Sequence, residues 1–184
     1  MEYIDINKEK KELYRLTKPG KYIFFLKNYS GKLTVEIKSA GVEAYLFGIY
    51  EGKNKDNFQL ETVQRHMAPG SFSELLIKGV FNDESKFNYQ GLIKIDEGAD
   101  KTHAYQKNQN LIFGNQCFVQ SKPYLEILAN DVFCTHGSTT GKLDQEQINY
   151  LLMRGIDVEE SKKLLVKGFI QEIYDKIEKT QLID

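Results

Sequence analysis

Three short stretches decide how this chain reads: Leu92-Ile-Lys-Ile95, Leu111-Ile-Phe-Gly114 and Leu125-Glu-Ile-Leu128. Each is a strand-like piece, and they begin 19 and then 14 residues apart. Similar pieces at loose intervals suit a chain that coils and lays each rung parallel to the last. Working outward, apolar runs fall at 22–26, 33–37, 42–50, 58–63, 75–80, 92–95, 111–113, 124–128 and 132–134. They are broken by clusters such as Gly52-Lys53-Asn54 and Asn82-Asp83-Glu84-Ser85. Residues two apart are repeatedly apolar, and no 3.6-residue period is sustained, so this region is all β. Asn-Gly and Asp-Gly pairs, the mark of two-residue hairpins, are mostly missing from the breaks. Periodicity alone leaves both a β-helix and a β-sandwich open.

The two flanks read differently. Residues 1–20 are charged, with Leu13, Tyr14 and Leu16 as anchors before Pro19-Gly20, and are expected to form a short helix or a loosely held arm. After Gly141 the pattern is helical. Asp144 with Gln147 makes a capping-box-like start, and Gly155 stops that helix. Asp157 with Glu160 repeats the device, followed by apolar residues at helical spacing through Ile177. The expected division is therefore an arm at 1–20, a β core at 21–141 and a helical segment at 142–184. The helices' apolar residues are most simply core, although the small Gly168 beside Phe169 would also let another surface approach closely.

Composition limits the function. With 184 residues, 25 Lys and Arg against 26 Asp and Glu give a net charge of −1. That supplies no basic field for nucleic acid or an anionic membrane. No apolar run approaches the roughly 20 residues needed to span a bilayer. The charged N-terminus is unlike a secretory signal. Two cysteines and three histidines make no disulfide framework, so a reduced, cytoplasmic protein is expected.

Gly137-Ser-Thr-Thr-Gly141-Lys142 imitates a phosphate loop but has three residues between its glycines, and Leu143 stands where a magnesium-binding hydroxyl is needed. Cys134-Thr135-His136 is more informative. On a strand it puts a thiol and an imidazole on one face. Cys117 precedes Cys134 by 17 residues, which a coiling chain would make about one rung. Thiolates beside imidazole suit iron–sulfur clusters, zinc or copper(I). Core packing of both cysteines is the plainer alternative. His66 and His103, each alone, read as structural histidines that would have to converge with His136 to hold a metal.

Together these segments resemble the SufB/SufD family, the scaffold subunits of the SUF iron–sulfur cluster assembly system. The resemblance is carried by His66-Met-Ala-Pro69, Ser73-Glu-Leu-Leu-Ile-Lys-Gly-Val-Phe-Asn-Asp83, Gly91-Leu-Ile-Lys-Ile95 and Lys122-Pro-Tyr-Leu-Glu-Ile127. Its most specific part is Asp131-Val-Phe-Cys-Thr-His-Gly-Ser-Thr139, followed by Tyr150-Leu151, Arg154-Gly-Ile156 and Gly168-Phe169. It implies a mainly β fold, a right-handed parallel β-helix with a C-terminal two-helix segment. It implies scaffolding without enzymatic turnover, and a transient iron–sulfur cluster held where two β-helices pair. Carried over by position, Cys117 resembles the SufB-side ligand and His136 the SufD-side ligand, with Cys134 beside it. Gly137 stands where SufB chains carry a glutamate. Both ligand types in one chain imply a homodimer, or pairing with another such subunit. A SufC-type ATPase is implied at the helices, through Tyr150, Leu151, Arg154, Gly168 and Phe169. The alternative is a SufD-like interaction protein that binds the ATPase and no cluster. Typical members are considerably longer, so sulfur transfer from a desulfurase is the part of the family's chemistry this chain leaves in doubt.

Overall fold

The computed structural model describes residues 1–182; the last two positions of the expected helical segment, Ile183 and Asp184, lie outside the described residues. Among the described residues, eleven strands alternate between two sheets. One sheet holds β1 (Glu2–Asp5), β3 (Gly20–Lys27), β5 (Val42–Gly52), β7 (Phe72–Phe81), β9 (Thr102–Ile112) and β11 (Val132–Gly141), in that order. The other holds β2 (Leu13–Leu16), β4 (Gly31–Ile37), β6 (Asn57–His66), β8 (Lys86–Ile95) and β10 (Phe118–Ile127). Every pairing is parallel, so the chain is a β-solenoid and not a sandwich of hairpins.

The register fixes the length of a turn. Tyr22 pairs with Glu2, 20 residues back, whereas Val132 pairs with Thr102 at 30 and Phe118 with Lys86 at 32. The repeats at Leu92, Leu111 and Leu125 therefore lie on β8, β9 and β10, half a turn apart and on alternating sheets. The Asn and Asp clusters are corners of the coil. Asn28, Asn54 and Asp83 all adopt left-handed φ (51°, 52° and 56°), which short polar side chains tolerate. The Asn54 N–H donates to the Asp83 carboxylate at 2.8 Å, tying one corner to the next.

Residues 2–16 are not an appended arm. They supply β1, a one-turn helix α1 (Ile6–Glu9) and β2, and Ile4, Ile6, Tyr14 and Leu16 are buried in the main core. The interior is apolar over the early turns and becomes polar later. Thr102, Gln106, Asn108 and Asn110 of β9 all point inward and are buried.

The helices begin where their caps predict. The Asp144 carboxylate accepts from the Glu146 N–H at 2.8 Å to open α2 (Gln145–Met153), and Gly155 turns at φ +82°. The Asp157 carboxylate accepts from the Glu160 N–H at 2.9 Å to open α3 (Val158–Leu182). Ile170, Ile173 and Ile177 of α3 pack on Ile23, Phe47, Ile49 and Leu76 on the outer face of the six-stranded sheet. Ion pairs Lys78–Glu172 and Lys176–Glu74 flank that seam. Replacing Asp157→Ala is expected to cost about 1 kcal/mol, the usual worth of a cap. It should appear as faster amide exchange in the first turn of α3, with the strands unchanged.

Candidate functional site at the terminal rung

β10 and β11 end their sheets, so each is paired on one side only. This last rung exposes more apolar surface than the strands beneath it, including Phe118, Tyr124, Leu125, Ile127, Leu128 and, at 54% exposure, Phe133. Alternation along β11 sends Val132, Cys134, His136, Ser138 and Thr140 toward the solenoid interior, because their register partners Thr102, Ala104, Gln106, Asn108 and Asn110 are all buried.

Cys134 stacks on Ala104 and packs with Ile93, Ile95 and Ala99. Burial pushes its thiol above the ordinary range. His136 stacks on Gln106 and is exposed, on the same face as Cys134. Cys117 lies elsewhere: at the corner before β10, half-buried, with Sγ 3.5 Å from the Asp83 carbonyl oxygen and 4.0 Å from Ser85 Oγ. It sits one turn above Ser85 and half a turn from Cys134, because 17 residues is only half the local turn. Gly141, at that same corner, is five residues beyond His136. At the strand rise this is roughly 16 Å along the strand.

The other histidines do not join His136. His66 is buried, with Nδ1 and Nε2 each 2.8 Å from a serine hydroxyl, Ser71 and Ser73. His103 is on the outer face, its ring 6.0 Å from that of Phe133. Among the described residues, no three His, Cys, Asp or Glu side chains come together as a metal site within one chain. Gly137-Ser-Thr-Thr-Gly141 is extended strand, which is no phosphate loop.

On the helices, Tyr150 and Arg154 are exposed, with the guanidinium 5.1 Å over the ring. Leu151 lines a groove of about 380 Å³ with Tyr150, Leu164 and Leu165. Gly168 follows on the same stripe of α3, and nothing lies within 4 Å of where its Cβ would be. Phe169, one turn beyond Leu165, leans toward the sheet: its ring covers the Lys78 ammonium at 4.1 Å, and Lys78 is only 3% exposed. Phe169 is thus part of the seam between helix and sheet, which helical spacing could not distinguish from an outward face.

Residues 26–169 match the family described as SUF system FeS cluster assembly, SufBD core domain. The chain belongs to this family. It is 37% identical over 105 residues to the iron-sulfur cluster assembly protein SufD of Escherichia coli (strain K12), covering 57% of this chain and 25% of that one. A SufBD family iron-sulfur cluster assembly protein of Mycobacterium leprae is 31% identical over 151 residues, 78% of this chain and 38% of that one. SufD of Bacillus subtilis is 29% identical over 126 residues, 68% of this chain and 28% of that one. Against such SufBD relatives the chain spans about a quarter to a half of their length. No helix among the described residues is long and apolar enough to cross a membrane.

Proposed function

We propose that this chain is a scaffold subunit of SUF-type cluster assembly in the cytoplasm. It holds a nascent iron–sulfur cluster, its cargo, where two copies meet, and docks a SufC-type ATPase on its helix pair. The observation that carries this reading is the terminal rung with its open edge, which presents a thiol and an imidazole, Cys134 and His136, side by side on one strand face. Soft sulfur and nitrogen donors are what iron–sulfur clusters take. The resemblance nominates Cys117 as the thiol, whereas the register sets Cys134 next to His136.

Anaerobic reconstitution with ferrous iron and sulfide is expected to give cluster absorbance that His136→Ala sharply lowers. Comparing Cys117→Ala with Cys134→Ala identifies the thiol as the variant that loses colour. Unchanged absorbance in all three refutes the cargo assignment. The SufD-like alternative, an ATPase-binding chain without a cluster, is favoured by one observation: Cys134 already packs in an apolar cluster that keeps its thiol protonated.

The ATPase contact rests on the exposed Tyr150–Arg154 pair and the groove beside Leu151. Arg154→Glu is expected to weaken SufC binding at least tenfold with the fold intact. An unchanged titration curve moves the docking surface elsewhere.

A further inference from the structure

Just beneath the terminal rung, a buried acceptor without a donor lies next to an imidazole that nothing holds. Gln106, in the middle of β9, points inward and is 2% exposed. One end of its amide is anchored, with Nε2 donating to the Gly91 carbonyl across the bore at 3.4 Å. A glycine leaves room for this, since a Cβ at Gly91 would lie 2.5 Å from that nitrogen. The other end, Oε1, is buried with no hydrogen-bond partner. Such an oxygen has lost its water and gained nothing in return, so it takes a hydrogen from any donor that comes within reach.

Few donors surround it. Leu75 lies beneath Gln106 in register and His136 above it. Its inward neighbours on β9 are Ala104 and Asn108, and Asn108 Nδ2 is itself buried and unpaired, so it does not reach Oε1. Across the bore, Gly91 has Thr62 below and Pro123 above. Pro123 has no N–H, and the Thr62 hydroxyl is 2.9 Å from that of Tyr89. Gln64 commits its amide nitrogen to Ser73 Oγ at 2.7 Å and to the Tyr105 carbonyl at 3.3 Å. His136 is left, on the same face and one strand spacing of about 4.8 Å away. Its ring is exposed, and among the described residues no group accepts from it.

We propose that Gln106 is the positioning residue for His136: its Oε1 accepts a hydrogen bond from one ring nitrogen, which fixes the tautomer and leaves the lone pair of the other nitrogen for the cargo. The inference rests on the cluster-scaffold reading and deepens it. A ligand histidine works as the neutral ring, and the nitrogen that binds metal is set by whatever holds the other one. An imidazole held at neither nitrogen must be ordered by the binding step itself. Glutamine suits this place because a carboxylate could hold the ring only by burying a charge.

Asn108 supplies the matched control. It is as buried as Gln106, also has an unpaired amide atom, and lies beneath Ser138 instead of His136. Heteronuclear NMR of the metal-free full chain, at about pH 8 where the ring is neutral, is expected to show one His136 tautomer. Its ring N–H should exchange slowly enough to be seen, and is assigned by its absence from His136→Ala. Gln106→Met, which keeps the side chain's length and removes the acceptor, should lose that signal, and Asn108→Leu should keep it. After reconstitution with ferrous iron and sulfide, Gln106→Met should yield its iron at a chelator concentration roughly 10–100-fold lower, the usual effect of removing a group that holds a ligand histidine. Asn108→Leu should match the unsubstituted chain. If Gln106→Met does not fold, Gln106→Asn withdraws the acceptor by one methylene and is expected to show the same losses. His136 ring signals that are the same with and without the Gln106 amide, or chelator sensitivity raised equally by Asn108→Leu, overturn the role of Gln106. Colour that survives His136→Ala overturns the cluster reading instead, and the ring N–H still decides whether the hydrogen bond exists.

Discussion

Replacing Phe87→Ala is expected to destabilise the protein by about 3–5 kcal/mol, the range for removing a buried aromatic side chain. Phe87 is fully buried on the inner face of β8. Its ring stacks on Tyr50 at 4.5 Å and Phe81 at 5.3 Å, and it lies 6.2 Å from the ring of Tyr89. In register it sits between Phe58 of the turn before and Val119 of the turn after. A solenoid is held by contacts between neighbouring turns, so a cavity here weakens the joint between the terminal rung and the turns beneath it. Denaturant unfolding is the measurement. A loss below about 1 kcal/mol would mean that these rings do not form the joint between turns.

The second large effect is acid instability centred on His66. Burial alone holds its imidazolium pKa down to about 4, against an ordinary value of 6.5. Both ring nitrogens meet serine hydroxyls, and no carboxylate is among those partners to balance a charge. The unfolded chain therefore takes a proton near pH 6.5 that the folded chain refuses until about pH 4. Stability from this site is complete above pH 6.5 and falls as pH drops through that window, to a total of about 3 kcal/mol. Between pH 6.5 and 5 the slope should approach 1.4 kcal/mol per pH unit, the value for one proton. The Glu36 carboxyl is held below its usual range by Lys38, despite an opposing effect of burial, so its contribution is lost only in stronger acid. Unfolding at several pH values, compared with His66→Gln, measures the effect. Equal slopes in the two proteins above pH 5 would remove His66 as the cause.

Much of the architecture was legible because each signal was local. The Asp144 and Asp157 caps and the Gly155 stop announced both helices, and paired apolar residues two apart announced strands. Of the strand at 102–112 apolar spacing marks only the last residues, because the inward Thr102, Gln106, Asn108 and Asn110 register as core only once the neighbouring turn buries them. The same holds at the N-terminus, where Ile4 and Ile6 gain their burial from the main core cluster. For the site, a period of two was enough to pair Cys134 with His136. Relating Cys117 to them required the length of a turn, and no residue type encodes that. The direction of Phe169 depended likewise on Lys78, 91 positions earlier in the chain.

Native mass spectrometry of the anaerobically reconstituted chain bears most directly on the scaffold reading. The expected species is two chains carrying iron and sulfide, reverting to apo chains when His136→Ala is introduced. A reconstituted sample made up of metal-free chains, whether single or paired, would contradict it.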